Sequence, residues 1–122
     1  MKSGKVIIQQ GALVYPHEER VAFELVKTGN NVTFLAVGIN KSPDILYMGK
    51  KWEIKSPIGS KRRTLENNVR AALKQSCNVI IDLSRIKVEE GSCLRFLRDR
   101  SNRLGKKVKI MVIKKNKEIV EL

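Results

Sequence analysis

One run of residues constrains the fold more than any other: Asn78-Val79-Ile80-Ile81-Asp82-Leu83. So short and apolar a run reads as a strand buried on both faces, of the kind that sits centrally in a sheet. The flanking segments alternate between helical and extended patterns. Between His17 and Thr28, Val21, Ala22, Leu25 and Val26 form one helical face behind Pro16, with Gly29 and Asn30 as C-cap residues. A second helix runs from the Ser56–Ser60 loop to about Cys77, burying Leu65, Val69, Ala72 and Leu73. A third spans Glu89 to Leu104 and stops at Gly105. Strands are expected at Asn31–Val37, Asp44–Met48, Lys51–Lys55 and Lys107–Ile113, with Glu118–Leu122 pairing back on the last and a short strand or two within Lys5–Val14. Gly38 to Pro43 reads as a loop, and a turn at Gly49-Lys50 makes the middle pair a hairpin. The class is α/β (α+β): a mixed central sheet with core order helix, strand, strand, strand, helix, strand. An N-terminal strand segment and a C-terminal helix and strands complete it. Residues 1–122 are expected to form a single domain, without repeats or a linker.

Charge narrows the partner. Lys and Arg number 25 against 12 Asp and Glu, a net charge of +13. Residues 1–60 carry eight basic and five acidic residues, whereas 61–122 carry seventeen and seven. Self-repulsion works against such an excess, so a polyanion is the expected partner, and basic residues scattered over several elements favour nucleic acid over a membrane surface. No run approaches a membrane span and the amino terminus lacks a secretory core, so a soluble domain with no membrane partner is expected. Cys77 and Cys93 are not a metal-binding or redox pair and are expected to be buried free thiols.

Chemistry concentrates in the hairpin. Asp44 follows Pro43, and nine residues after it comes Glu53-Ile54-Lys55. Side chains alternate along a strand, so Glu53 and Lys55 share a face while Ile54 turns into the core, as should Trp52. With Asp44 on the neighbouring strand facing the same way, two carboxylates and an ammonium converge. Oxygen ligands of this kind suit Mg²⁺ or Mn²⁺, and the lysine can orient a nucleophilic water or neutralise charge on a phosphate. Taken singly, Asp44 after Pro43 is also what starts a turn, and Glu53 with Lys55 is what an ordinary exposed strand face carries. Yet three of the five carboxylates before residue 61 are Glu18, Asp44 and Glu53, and clustered like charges need a cation between them. For substrate contact, Lys61, Arg62 and Arg63 open the second helix, Arg70 and Lys74 continue one flank of it, and Arg95 and Arg98 lie three apart on the third.

The element order with Asp44, Glu53 and Lys55 resembles the PD-(D/E)xK nuclease superfamily, in which Glu18 matches a first-helix glutamate of the resolvase-like branch. The segment Lys51-Trp52-Glu53-Ile54-Lys55-Ser56-Pro57, with Lys74-Gln75 and Val79–Leu83, is also similar to the C-terminal toxin domains of contact-dependent growth-inhibition (CdiA-type) proteins. The likeness covers roughly residues 17–85. It implies a metal-dependent endonuclease with Asp44, Glu53, Lys55 and Glu18 as catalytic residues. Asp44, Glu53, the Ile54 carbonyl and Glu18 would be the ligands of Mg²⁺ or Mn²⁺. It further implies tRNA as the first candidate substrate with DNA as the other, an acidic immunity protein as a partner, and a cytoplasmic site of action reached as part of a larger secreted protein.

Two other readings stay open. A metal-independent ribonuclease of the barnase or EndoU type would pair His17 with Glu18 or Glu53, although a solvent-exposed histidine at a helix start is the simpler account of His17. A basic module that binds nucleic acid without cutting it, or an acidic protein, would need only the charge.

Overall fold

The computed structural model describes residues 2–38 and 43–122. Ten elements follow in chain order: β1 (Val6–Ile8), α1 (Pro16–Val26), β2 (Val32–Phe34), β3 (Ile45–Tyr47), β4 (Lys50–Lys55), α2 (Arg62–Leu73), β5 (Asn78–Asp82), α3 (Glu90–Leu104), β6 (Lys109–Ile113) and β7 (Ile119–Glu121). The seven strands lie in the sheet in the same order as in the chain. β1 and β2 are parallel, β2, β3 and β4 antiparallel, β4, β5 and β6 parallel, and β7 returns antiparallel to β6. This is the expected mixed sheet, with β5 in its interior between β4 and β6 and Val79, Ile80 and Ile81 fully buried.

Alternation along the strands supplies two cores, one on each face. Ile54, Ile80 and Met111 join Val21 and Leu25 of α1 together with Phe34, Ile45 and Trp52. On the other face Val79, Ile81, Ile110 and Val112 meet Leu65 and Val69 of α2 and Phe96 and Leu97 of α3. Trp52 is buried as expected, and its indole N–H donates to the Tyr47 carbonyl (3.0 Å).

Several boundaries differ from expectation. α1 ends at Val26 and is capped at Lys27, ahead of Gly29 and Asn30. The β3–β4 turn is Met48-Gly49, one residue earlier than Gly49-Lys50, and both residues have positive φ (53° and 75°). α2 stops at Leu73 because Ser76 diverts the chain: its hydroxyl donates to the Lys51 carbonyl (3.2 Å) and accepts the Asn78 N–H (3.0 Å). Both cysteines are free, but Cys77 is exposed and only Cys93 is buried. The loop expected over Gly38–Pro43 lies largely outside the described residues.

One feature of β4 prepares the site. Lys50–Trp52 pair with β3, whereas Glu53–Lys55 pair with β5. The sheet forks at Glu53, and the backbone groups on the β3 side of Ile54 lose their ladder partners.

Candidate functional site

Asp44 closes the fork. It sits one residue before β3 rather than within it, but its N–H still donates to the Trp52 carbonyl (3.0 Å). Its side chain then stands where the next ladder residue would be, and Oδ2 accepts the Ile54 N–H (2.8 Å). A strand residue projects N–H and C=O from the same edge, so the Ile54 carbonyl also faces the fork.

Four elements converge there. The parallel strands β4, β5 and β6 bring their C-terminal ends to this edge, the usual place for a ligand in such sheets. β4 contributes Glu53, which is 3% exposed and therefore no part of an exposed strand face. One of its oxygens lies 3.7 Å from Lys55 Nζ, and the other, Oε1, is buried without a hydrogen-bond partner. The start of α1 contributes Glu18, also buried, whose Oε1 accepts the Tyr15 N–H (3.0 Å) and so satisfies one free amide of the first turn.

The electrostatics follow from this crowding. Burial pushes the Glu53 carboxyl up to about 8; Asp44 beside it acts in the same direction and Lys55 partly opposes. Burial raises Glu18 to about 7, against the Tyr15 amide, with Asp44 adding to the rise. Asp44 thus faces both glutamates, and the expected set of Asp44, Glu53, Lys55 and Glu18 is brought together. Asp44 and Glu18 each accept a backbone N–H through one oxygen, Glu53 lies 3.7 Å from Lys55 through one of its own, and a proton on either glutamate is shared with Asp44. The donors are hard oxygens, and the orphaned Glu53 Oε1 is the kind of atom a divalent cation satisfies, so the residues fit Mg²⁺ or Mn²⁺ in chemistry. Among the described residues, however, no three His, Cys, Asp or Glu side chains already stand in ligating positions.

His17 is not the solvent-exposed residue expected. It is half-buried, stacks on Tyr15 (ring centroids 6.0 Å apart), and is lowered from its ordinary value by burial and then by Arg85 and Arg20. Four more residues at this edge escaped the sequence reading. The buried Asp82 carboxylate accepts from the Ser56 hydroxyl (2.9 Å) and from the Ser84 hydroxyl and N–H (3.0 Å each), and Arg85 bonds to Ser56 in turn. Ser and Arg in separate loops carry no spacing signature, although Asp82, polar within an apolar run, was a visible signal.

The expected basic contacts divide. Lys61, the N-cap of α2, and Arg62 and Arg63 in its first turn follow the Ser56–Ser60 loop after β4 and are exposed. Arg62 is partly engaged, 3.7 Å from Glu66 and 5.4 Å from the centre of the Phe96 ring. Arg70 and Lys74 are exposed at the opposite end of α2, about 12–20 Å along its axis, and Arg95 and Arg98 are exposed on α3. None of these four joins the cluster at the fork.

Fold and site together define a class: an α/β domain on a mixed seven-stranded sheet whose buried carboxylates and lysine meet at a fork in the sheet. Within that class, the family model "Contact-dependent growth inhibition CdiA C-terminal domain" matches residues 41–119, and the chain belongs to this family. It is a toxin module of contact-dependent growth inhibition. Among solved structures, a chain of the "CdiA-CT/CdiI toxin and immunity complex from Burkholderia pseudomallei" is similar to it with a TM-score of 0.72, at 16% identity over 98% of each chain, a likeness of fold. No curated protein matches the chain in sequence. Among the described residues no helix is long and apolar enough to cross a membrane.

Proposed function

We propose that residues 1–122 act as one metal-dependent endonuclease domain that hydrolyses phosphodiester bonds, with tRNA as the first substrate to test and DNA as the other. The observation that carries this reading is Glu53: a buried carboxylate with one oxygen that accepts no hydrogen bond among the described residues, forced against Asp44 and Glu18 and paired with Lys55. A protein gains nothing in stability from such an arrangement. The resemblance to PD-(D/E)xK nucleases points to the same residues.

Asp44, Glu53, Glu18 and the Ile54 carbonyl would hold Mg²⁺ or Mn²⁺. When bound, the ion supplies Lewis acidity to a phosphate oxygen and lowers the pKa of a water. Glu53 must first give up its proton, since its pKa lies near 8. Lys55 orients the attacking water and offsets the charge that builds on phosphorus. Asp44, anchored by the Ile54 amide, keeps its second oxygen in place. The exposed cations Lys61, Arg62 and Arg63 lead the backbone to the fork, while Arg70, Lys74, Arg95 and Arg98 extend the basic surface beyond it. That same surface suits an acidic immunity protein, and the family's place at the C-terminus of CdiA supports delivery within a larger secreted protein to a cytoplasmic target.

Incubation with tRNA, double-stranded DNA and single-stranded DNA, in Mg²⁺, in Mn²⁺ and in EDTA, tests the reading. Cleavage is expected with either ion and not in EDTA, and Lys55→Ala should reduce it by ~10²–10³. Full cleavage in EDTA would overturn the metal and favour a second reading, in which His17, held neutral at the site edge, serves as base without a metal.

A further inference from the structure

The loop after β5 carries a cation that the proposed chemistry does not use. Arg85 is half-buried at the same sheet edge as the fork. Its Nε donates to the Ser56 hydroxyl (3.0 Å) and its Nη2 to the Ser56 carbonyl (2.6 Å), and Ser56 directly follows Lys55. The Asp82 carboxylate reaches the guanidinium through the Ser56 hydroxyl and also accepts from Ser84. Among the described residues Arg85 therefore makes no ion pair. The loop is fastened independently of the guanidinium: Gly59 and Ile86 form a parallel bridge, Lys87 N–H donates to the Gly59 carbonyl (2.7 Å), and Lys115 Nζ donates to the Ile86 carbonyl (2.7 Å). A partly desolvated guanidinium that meets a carboxylate only through a bridging hydroxyl is costly, whereas its flat fork of N–H donors matches a phosphate.

We infer that Arg85 is a phosphate-binding residue, which grips the nucleic-acid backbone at a phosphodiester flanking the one held over the fork. Two observations meet in this assignment: the guanidinium is oriented by Ser56 at the end of β4, and its remaining donors have no protein acceptor among the described residues. The inference rests on the nuclease reading for its substrate class, but binding is measured separately from cutting.

The test is a salt series of binding to tRNA, double-stranded DNA and single-stranded DNA in EDTA, alongside steady-state cleavage in Mg²⁺. Arg85→Gln should weaken binding about tenfold and lower the slope of log affinity against log salt by about one phosphate contact. Its cleavage defect should lie mainly in KM. Unchanged affinity and slope, or a wild type that binds none of the three, would overturn the assignment. Arg85→Lys keeps the charge and should keep the wild-type slope; if its slope falls as far as that of Arg85→Gln, the residue acts through structure alone and the assignment fails. A wild type that binds but does not cut in Mg²⁺ or Mn²⁺ would defeat the nuclease reading and leave the phosphate contact standing.

Discussion

Glu53 holds the main tension of the molecule. A carboxyl whose folded pKa of about 8 exceeds its unfolded value of 4.5 binds an extra proton in the native state between those limits. Stability from this group is therefore full below about pH 4.5 and is lost as pH rises through 8, the reverse of the usual salt-bridged carboxylate. Glu53→Gln removes the ionisation while keeping the shape. In EDTA its stability advantage over wild type should be small at pH 5 and grow to roughly 1–3 kcal/mol at pH 8, the cost of a buried unsatisfied group. Denaturant unfolding at both values checks this, and a variant less stable than wild type at pH 8 would contradict the burial argument. The motif residues Asp44, Glu53 and Lys55 were legible because their spacing on a hairpin is a local property. The burial of Glu53 and the position of Arg85 were not, because each depends on where β5 and its following loop come to rest, more than twenty residues along the chain.

At the scale of elements, helices and strands were read well where an apolar period was strong, and boundaries slipped where a side chain or a turn decided them. Ser76 ended α2 early through its own hydrogen bonds, and no periodicity reports that. The Met48-Gly49 turn is the clearest case. Both residues occupy the left-handed region that a two-residue hairpin requires, which suits Gly49 but strains Met48, whose side chain is 61% exposed and packs little. Met48→Gly should stabilise the protein by about 1 kcal/mol, read as a higher unfolding midpoint with unchanged cleavage. A loss of stability would mean that the methionine contributes packing. The start of α2 is a second test. Neutralising Lys61, Arg62 and Arg63 together should flatten the salt dependence of tRNA binding and weaken binding evenly across sequences, because phosphate contacts carry no sequence information. Indistinguishable slopes would move the entry surface to Arg95 and Arg98.

For the whole molecule, the site lies on the seam between two half-sheets. Asp44 belongs to the part built on β3, Glu53 and Lys55 to the stretch of β4 that pairs with β5, and Glu18 to α1. An ion shared among them would tie these parts together, so Mg²⁺ at about a hundred times its dissociation constant should stabilise the fold by about 2.7 kcal/mol. The effect should strengthen from pH 6 to 8 as Glu53 loses its proton more readily, and it should vanish in Asp44→Asn. Thermal melts at several Mg²⁺ concentrations measure it. The seam also sets an order of events. Local hydrophobic contacts can build α1 with β1 and β2, or α2 with β5, while the other half of the chain is still unfolded. The cluster exists only after β4 has been zipped on both sides, to β3 through the local hairpin and to β5 from more than twenty residues along the chain. On the nuclease reading, chemistry would be the final product of folding, and a half-folded chain would be harmless to whatever holds it.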